Sequence, residues 1–169
     1  MGKMLDLKKL QQAAPKRGDI LVVLSGDLAM TGWVVSKYFR KRYRYESEYD
    51  LLRALEGLCD GMGFPQPAFA GRTFGARQKR SVAPAGRAVA YGEGELESIM
   101  ENEKATFIVN VMFRKNATFQ GSITWVEREK TQYFRSAFEM LKLMDEARRQ
   151  GSQDPVCWQE DRQPETEEY

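Results

Sequence analysis

The chain has 169 residues, of which 42% are hydrophobic and 30% are charged, and its net charge is +2. This composition is typical of a soluble globular protein with one domain, and the chain is long enough to bury a hydrophobic core. No apolar run approaches the roughly 18 residues that cross a bilayer, and the amino-terminal residues lack the apolar segment of a secretory signal. We therefore expect a cytoplasmic protein.

Histidine is absent, and the two cysteines, Cys59 and Cys157, lie far apart in the chain. The commonest general base and the commonest transition-metal ligand are therefore missing, which argues against a zinc site. No phosphate-binding loop, pair of catalytic acids or activated nucleophile is recognisable in the sequence. The sequence predicts no metal and no cofactor, and catalysis on a small ligand is the least favoured function.

The charges are unevenly distributed along the chain. Residues 1–92 carry 16 Lys and Arg against 8 Asp and Glu, whereas residues 93–169 carry 10 against 16. An asymmetry of this size favours an anionic partner for the basic half. The alternative is that the two halves complement each other within one fold.

Residues 1–151 are predicted to form one α+β domain, and its first part shows clear local signals. Residues 20–39 have the β-branched runs and the Ser-Gly-Asp turn of a β-hairpin. A helix is predicted to follow, because Ser47 and Asp50 form a capping box and Gly63 provides a stop after Met62.

Residues 63–94 form a stretch rich in glycine and proline, with no acidic residue between Asp60 and Glu93. This composition predicts a long basic loop with a short strand near residues 88–91, followed by a short acidic helix over 95–103. A loop of this length in a small domain is commonly a binding element or mobile.

Residues 107–149 carry the most regular pattern in the chain. Two alternating strands, 107–113 and 119–125, flank a turn at 114–116, and an amphipathic helix follows at about 132–149 with Phe138 predicted to face inward. Residues 152–169 are polar and acidic, and we expect this tail to be disordered.

Residues 20–62 and 107–149 can be superposed as two strand-strand-helix units. We therefore predict antiparallel hairpins with two main helices packed on one face, and a β-β-α duplication is one interpretation of the pattern. The alternative is that two hairpin-helix units resemble each other by chance.

Basic and aromatic residues alternate in the segment that follows the first hairpin. Cations suit phosphates and flat rings suit bases, so the segment and the basic loop together predict a nucleic-acid site. Its residues are Lys37, Arg40, Lys41, Arg42, Tyr43, Arg44, Tyr45, Arg72, Arg77, Lys79, Arg80 and Arg87. The alternative is an alternating strand that buries Tyr43 and Tyr45 while its arginines are solvated.

The turn of the second hairpin is a second candidate site. Arg114, Lys115, Asn116 and Gln120 could present hydrogen-bond donors to a phosphate, a carboxylate or a base edge. The alternative is structural, because asparagine tolerates the left-handed conformation that turns require.

The sequence Phe113-Arg114-Lys115-Asn116-Ala117-Thr118-Phe119-Gln120-Gly121, continued by Ile123, Trp125 and Phe134-Arg135-Ser136, resembles a family. The family consists of small uncharacterised proteins from anaerobic Gram-positive bacteria. In their usual pattern Gln stands in place of Lys115 and Trp in place of Phe119. The resemblance covers about residues 47–147 and implies no activity.

Three functions remain open from the sequence. The first is a non-enzymatic binding or regulatory module for an anionic partner, with nucleic acid foremost. The second is a protein–protein adaptor or inhibitor, encoded for example on a mobile element, that acts through the second hairpin and the acidic half. The third is an enzyme for a small ligand.

Overall fold

The computed structural model describes residues 19–75, 89–90, 92, 94–100 and 103–149. The predicted acidic tail and much of the predicted basic loop lie outside these ranges. The described strands are β1 (Asp19–Leu24), β2 (Gly32–Ser36), β3 (Lys41–Tyr45), β4 (Val89–Ala90), β5 (Ala105–Phe113), β6 (Gln120–Trp125) and β7 (Lys130–Phe134). The described helices are α1 (Glu48–Met62), α2 (Glu95–Met100) and α3 (Ala137–Arg148). None of these helices is long and apolar enough to cross a membrane.

The described strands form one sheet in the order β4-β3-β2-β1-β5-β6-β7, and every neighbouring pair is antiparallel. At its centre β1 pairs with β5 over six residue pairs, from Asp19 with Asn110 to Leu24 with Ala105. The predicted α+β class with antiparallel hairpins is confirmed.

The two faces of the sheet are covered differently. Alternate residues of β1, such as Ile20, Val22 and Leu24, belong to the main core, which also contains the apolar sides of α1 and α3. On the other face Leu21 and Val23 form a smaller core with Leu96 and Ile99 of α2. The two principal helices therefore lie on one face, as predicted, and the short α2 covers part of the opposite face.

Each half of the sheet is a unit of three strands and a helix, namely β1-β2-β3-α1 and β5-β6-β7-α3. One spacing of 89 residues relates Gly32 to Gly121, Arg40 to Glu129 and Ser47 to Ser136. Arg40 and Glu129 both adopt a left-handed conformation, with φ of 52° and 51°. Ser47 and Ser136 both cap a helix by accepting a hydrogen bond from the residue three positions later, at 3.1 Å in each case.

The predicted strand-strand-helix unit is thus one strand short. For β3 the structure shows the alternative interpretation, an alternating strand that buries Tyr43 and Tyr45, and β7, in the predicted connection and start of the last helix, was not predicted. Their charged and polar residues do not form an apolar run, and only Tyr43 and Tyr45 of β3 and Phe134 of β7 are buried. A strand at the side of a sheet needs few apolar residues because little of it faces the core.

The helix ends follow the local signals in the sequence. Gly63 ends α1 in a left-handed conformation with φ of 65°, and its N–H donates to Asp60 O. The prediction for α3 was wrong at Phe138, which is 68% exposed, because the buried stripe consists of Met140, Met144 and Ala147. Phe138 lies off that stripe, since each residue turns the helix by about 100°.

Two glycines are essential where neighbouring strands approach closely. A Cβ atom added to Gly32 would lie 1.9 Å from Val23 O, and one added to Gly121 would lie 1.9 Å from Asn110 O. We expect Gly32→Ala and Gly121→Ala each to lower the free energy of unfolding by about 1–3 kcal/mol, because backbone atoms must move. Urea unfolding measures this loss. Gly75→Ala is the control, since nothing lies within 4 Å of its added Cβ; equal losses in all three variants would contradict the prediction.

The buried thiol of Cys59 makes stability sensitive to alkaline pH. Burial raises the pKa of Cys59 to about 11 from its ordinary value of 9.0. Below pH 9 the thiol is protonated in both states, whereas between pH 9 and 11 the unfolded chain gains stability by releasing the proton. We expect Cys59→Ala to remove this part of the alkaline loss, measured as the difference in urea midpoints at pH 8 and 10. An identical pH dependence in both proteins would contradict the prediction.

Candidate functional site

The basic hairpin, which we define as residues 36–45, joins β2 to β3. It contains five Lys or Arg residues and no Asp or Glu. Its turn is ordered by Ser36, whose buried hydroxyl accepts a hydrogen bond from Phe39 N at 3.2 Å. The left-handed Arg40 then returns the chain into β3. The fold thus gathers these cations at one corner of the sheet.

Tyr43 and Tyr45 lie on the core face of this hairpin, at 7% and 0% exposure. The Tyr45 hydroxyl donates to Val23 O at 3.0 Å, and the Tyr43 hydroxyl donates to the Asp50 carboxylate. Burial raises the pKa of Tyr45 well above its usual range. These two rings support the sheet, and no base could stack on them in this structure.

The opposite face of the hairpin carries Trp33, Arg42 and Arg44. The guanidinium carbon atoms of Arg42 and Arg44 lie 4.9 and 5.5 Å from the centre of a Trp33 ring, within the range of cation–π contact. Trp33 pairs directly with Arg44 in the register of β2 and β3. Trp33 was not among the predicted site residues. Its position beside Arg44 follows only once residues 41–45 are known to pair with β2.

The acidic partners of these arginines are held loosely. Arg42 lies 3.8 Å from Glu95, and Arg44 lies 3.8 Å from Glu46. Both carboxylates are at least half exposed, and exposed pairs of this kind contribute little to stability. An incoming phosphate could replace either carboxylate at low cost.

Other predicted cations of the hairpin lie at its tip and edge. Lys41 is exposed beside Arg40, and Tyr38 at the tip is 54% exposed. Lys37 is half-buried, and burial lowers the pKa of its ammonium group, opposed by the attraction of Asp19. Tyr38 thus offers the accessible ring that the two buried tyrosines do not.

The predicted basic loop contributes one described cation, Arg72, which is exposed. Its neighbours Phe69 and Phe74 are 71% and 116% exposed. Arg77, Lys79, Arg80 and Arg87 lie outside the described residues.

At the second hairpin the structure separates Arg114 from its neighbours. Arg114 is 6% exposed; its Nη1 lies 2.7 Å from Asp60 Oδ1, and its Nε donates to Pro65 O at 2.7 Å. The guanidinium group therefore ties the end of α1 and the following segment to β5. It is not presented to a ligand at the hairpin tip.

The rest of that tip is closed by its own hydrogen bonds. Gln120 accepts from Lys115 N at 2.9 Å and donates to Lys115 O at 3.0 Å. Asn116 and Ala117 both adopt left-handed conformations, with φ of 55° and 57°. Only Lys115 and Asn116 of the four predicted contact residues are exposed, and the Lys115 ammonium group lies 4.9 Å from the centre of the Phe113 ring.

The residues that carry the family resemblance have structural roles in this chain. Thr118 accepts a hydrogen bond from Ala137 N at 2.9 Å, and Phe119 and Phe134 are buried. Ser136 caps α3, and Arg135 pairs with Glu139 at 3.1 Å. The motif therefore describes how the second unit folds.

Within the described ranges, no group of three or more Cys, Asp and Glu side chains is arranged to hold a metal ion. Comparison with protein-family models, curated proteins and solved structures finds no match to this chain. Function therefore has to be argued from the geometry alone.

The buried ion pair of Arg114 generates a prediction about stability. We expect Arg114→Met to lower the free energy of unfolding by about 3–5 kcal/mol, because the variant loses both the buried ion pair with Asp60 and the hydrogen bond to Pro65 O. Urea unfolding at pH 7 measures the loss. The matched control is the exposed neighbour in Lys115→Met, for which a change within about 0.5 kcal/mol is expected. Similar losses in both variants would contradict the assigned role of Arg114.

Proposed function

We propose that the protein is a non-enzymatic module that binds nucleic acid through the basic hairpin and Trp33. The supporting observation is an internal comparison. The equivalent hairpin of the second unit, residues 125–134, has the same left-handed turn residue but contains two basic and two acidic residues. The fold therefore does not require five cations and no acids at this place, and a binding role accounts for them.

The chemistry of the site suits a phosphate backbone with exposed bases. Arg44 and Lys41 are exposed, and salt-dependent phosphate contacts are their natural use. Trp33 and Tyr38 add partly accessible rings on which bases can stack, and stacking contributes about 1–3 kcal/mol per base. Because these rings lie among cations, single-stranded nucleic acid is the favoured form of the partner.

A second candidate function, a protein–protein adaptor or inhibitor, is supported by a separate observation. Phe69, Phe74 and Phe113 are more than half exposed. The bridge between Pro67 and Arg114 places the segment that carries Phe69 against the residue that follows Phe113. Exposed aromatic side chains of this kind favour a protein surface as partner. This contact would be less sensitive to salt than binding at the basic hairpin.

The test is binding of labelled single- and double-stranded DNA and RNA, measured by fluorescence anisotropy at about 50 and 200 mM salt. Four phosphate contacts would weaken binding by about 50- to 150-fold over this range. We expect Lys41→Ala/Arg44→Ala to weaken binding at low salt and to reduce this salt dependence by about 7- to 12-fold, since two contacts are lost.

The matched control is Arg128→Ala/Lys130→Ala, which removes the same charge from the equivalent hairpin and should leave binding nearly unchanged. A third variant, Trp33→Leu, should weaken binding to single strands while keeping the salt dependence, because it removes a ring and no charge. Equal effects of the two double variants would show that net charge alone matters. Absence of binding at both salt concentrations would overturn the proposal.

A further inference from the structure

A cavity of about 180 Å³ opens between the sheet and α3 at the side of β7. Its floor is apolar, and its mouth carries Lys130 and Gln132 of β7 together with Glu146 of α3. Cavities near 150 Å³ are known to hold a benzene ring, so an aromatic side chain is of the right scale. The cavity lies on the helix-bearing face and in the second unit, away from the basic hairpin.

The wall of the cavity includes a residue with a buried polar atom. Trp125 lines it, and its indole Nε1 is buried without a hydrogen-bond partner among the described residues. Buried N–H groups are nearly always paired, because an unmade hydrogen bond in a buried place costs about 1–3 kcal/mol. Because this nitrogen has almost no accessible surface, an occupant of the cavity reaches it only if the Trp125 side chain moves.

In the first unit, the place equivalent to the cavity is filled by a side chain of the strand itself. Tyr43 stands there at the position equivalent to Gln132, and its ring is buried on the core face. The outer edge of β3 is paired with β4, through Lys41 with Ala90 and Arg42 with Val89. In the second unit Gln132 is exposed, and β7 is the last strand of the described sheet, with a neighbour on one side only.

We propose that residues 155–158 of this chain, Pro-Val-Cys-Trp, pair with the free edge of β7 and place the Trp158 side chain in the cavity. The geometry of the chain carries this assignment. Ala147 lines the cavity, and α3 ends at Arg148, so the described part of the chain ends beside it at Arg149. The 9 residues from Arg149 to Trp158 can span up to about 30–32 Å when extended.

The composition of the segment fits this edge. Val156 and Trp158 alternate with Cys157, so in an extended strand the two apolar side chains face the cavity and the cysteine faces the opposite side of the sheet. Lys130, which lines the cavity, can pair with one of the flanking acids, Asp154 or Glu160. Attachment to α3 also gives the segment a millimolar effective concentration, so a weak contact is sufficient.

The native Cys157 provides a direct test in the full-length chain. On the outer face of β7, Thr131 and Tyr133 are both exposed. We expect Thr131→Cys or Tyr133→Cys to form an intramolecular disulfide with Cys157 in oxidised glutathione, because cross-strand cysteines meet the Cα separation of about 4.4–6.8 Å. Peptide mass spectrometry identifies the linked pair, and Cys59 does not compete because it is fully buried.

The matched control is Arg44→Cys, at the position of the first unit equivalent to Tyr133, and it should react at least ten-fold more slowly. A disulfide at neither position of β7 would overturn the proposal. An equal or faster reaction at Arg44→Cys would also overturn it, and would place the acidic segment at the basic hairpin.

A second pair of variants tests the cavity itself. Trp158→Ala removes the proposed occupant, and Gln132→Tyr fills the cavity with the residue that the first unit uses. Each should slow the β7 disulfide by at least ten-fold while circular dichroism shows an unchanged fold. If neither changes the rate, the disulfide reports only random encounters, and the proposal fails. These outcomes do not depend on nucleic-acid binding, which is measured separately.

Discussion

The pairing of β1 with β5 is the contact on which the rest of the structure depends. Residues Ile20–Leu24 are at most 5% exposed, because the principal helices cover one face of β1 and the short α2 covers the other. Since β1 and β5 are antiparallel neighbours and both principal helices lie on the same face, the two units are related by an approximate two-fold rotation about an axis perpendicular to the sheet. A strand buried on both faces can be nearly all apolar, which explains the unbroken run Ile-Leu-Val-Val-Leu.

Comparison of the two units distinguishes the features that the fold requires in both from those that can vary between them. The close approach of a strand at Gly32 and Gly121, the left-handed turn residue and the serine cap recur in both units. The covering of the outer face does not recur. Leu21 and Val35 lie under α2, whereas Thr124 and Thr131 on the other side are partly or fully solvated and bond to each other at 2.8 Å. The apolar and polar outer faces therefore reflect the presence and absence of a cover.

A structural feature could be predicted where the sequence pattern that indicates it is short and local. The capping box at Ser47 and the stop at Gly63 are short-range signals, so α1 was predicted accurately. The alternation of β3 was visible in Tyr43 and Tyr45, but its pairing with β2 was not, and the polar residues of β7 concealed that strand altogether. Prediction of the site residues was limited for the same reason, because their contacts also depend on which strands pair. The sequence singled out Tyr43 and Tyr45, which are buried, and omitted Trp33, whose contact with Arg42 and Arg44 exists only when β2 and β3 pair. Arg114 was assigned to a hairpin tip because its partner Asp60 lies on a distant helix.

The positions at which the two units differ are the best indication of function in this chain. Arg44 corresponds to Tyr133 and Tyr43 to Gln132, although β3 and β7 pair with their neighbouring strands in the same register. The two units therefore fill this place differently, with Tyr43 buried in the main core and Gln132 exposed. In the first unit the change produces a cationic surface beside an indole ring. In the second it leaves an open cavity and a strand that, in the described part of the chain, has a neighbour on one side only. The two units thus present two surfaces of different chemistry on one sheet, and we propose a separate occupant for each, nucleic acid at the first and residues 155–158 of this chain at the second.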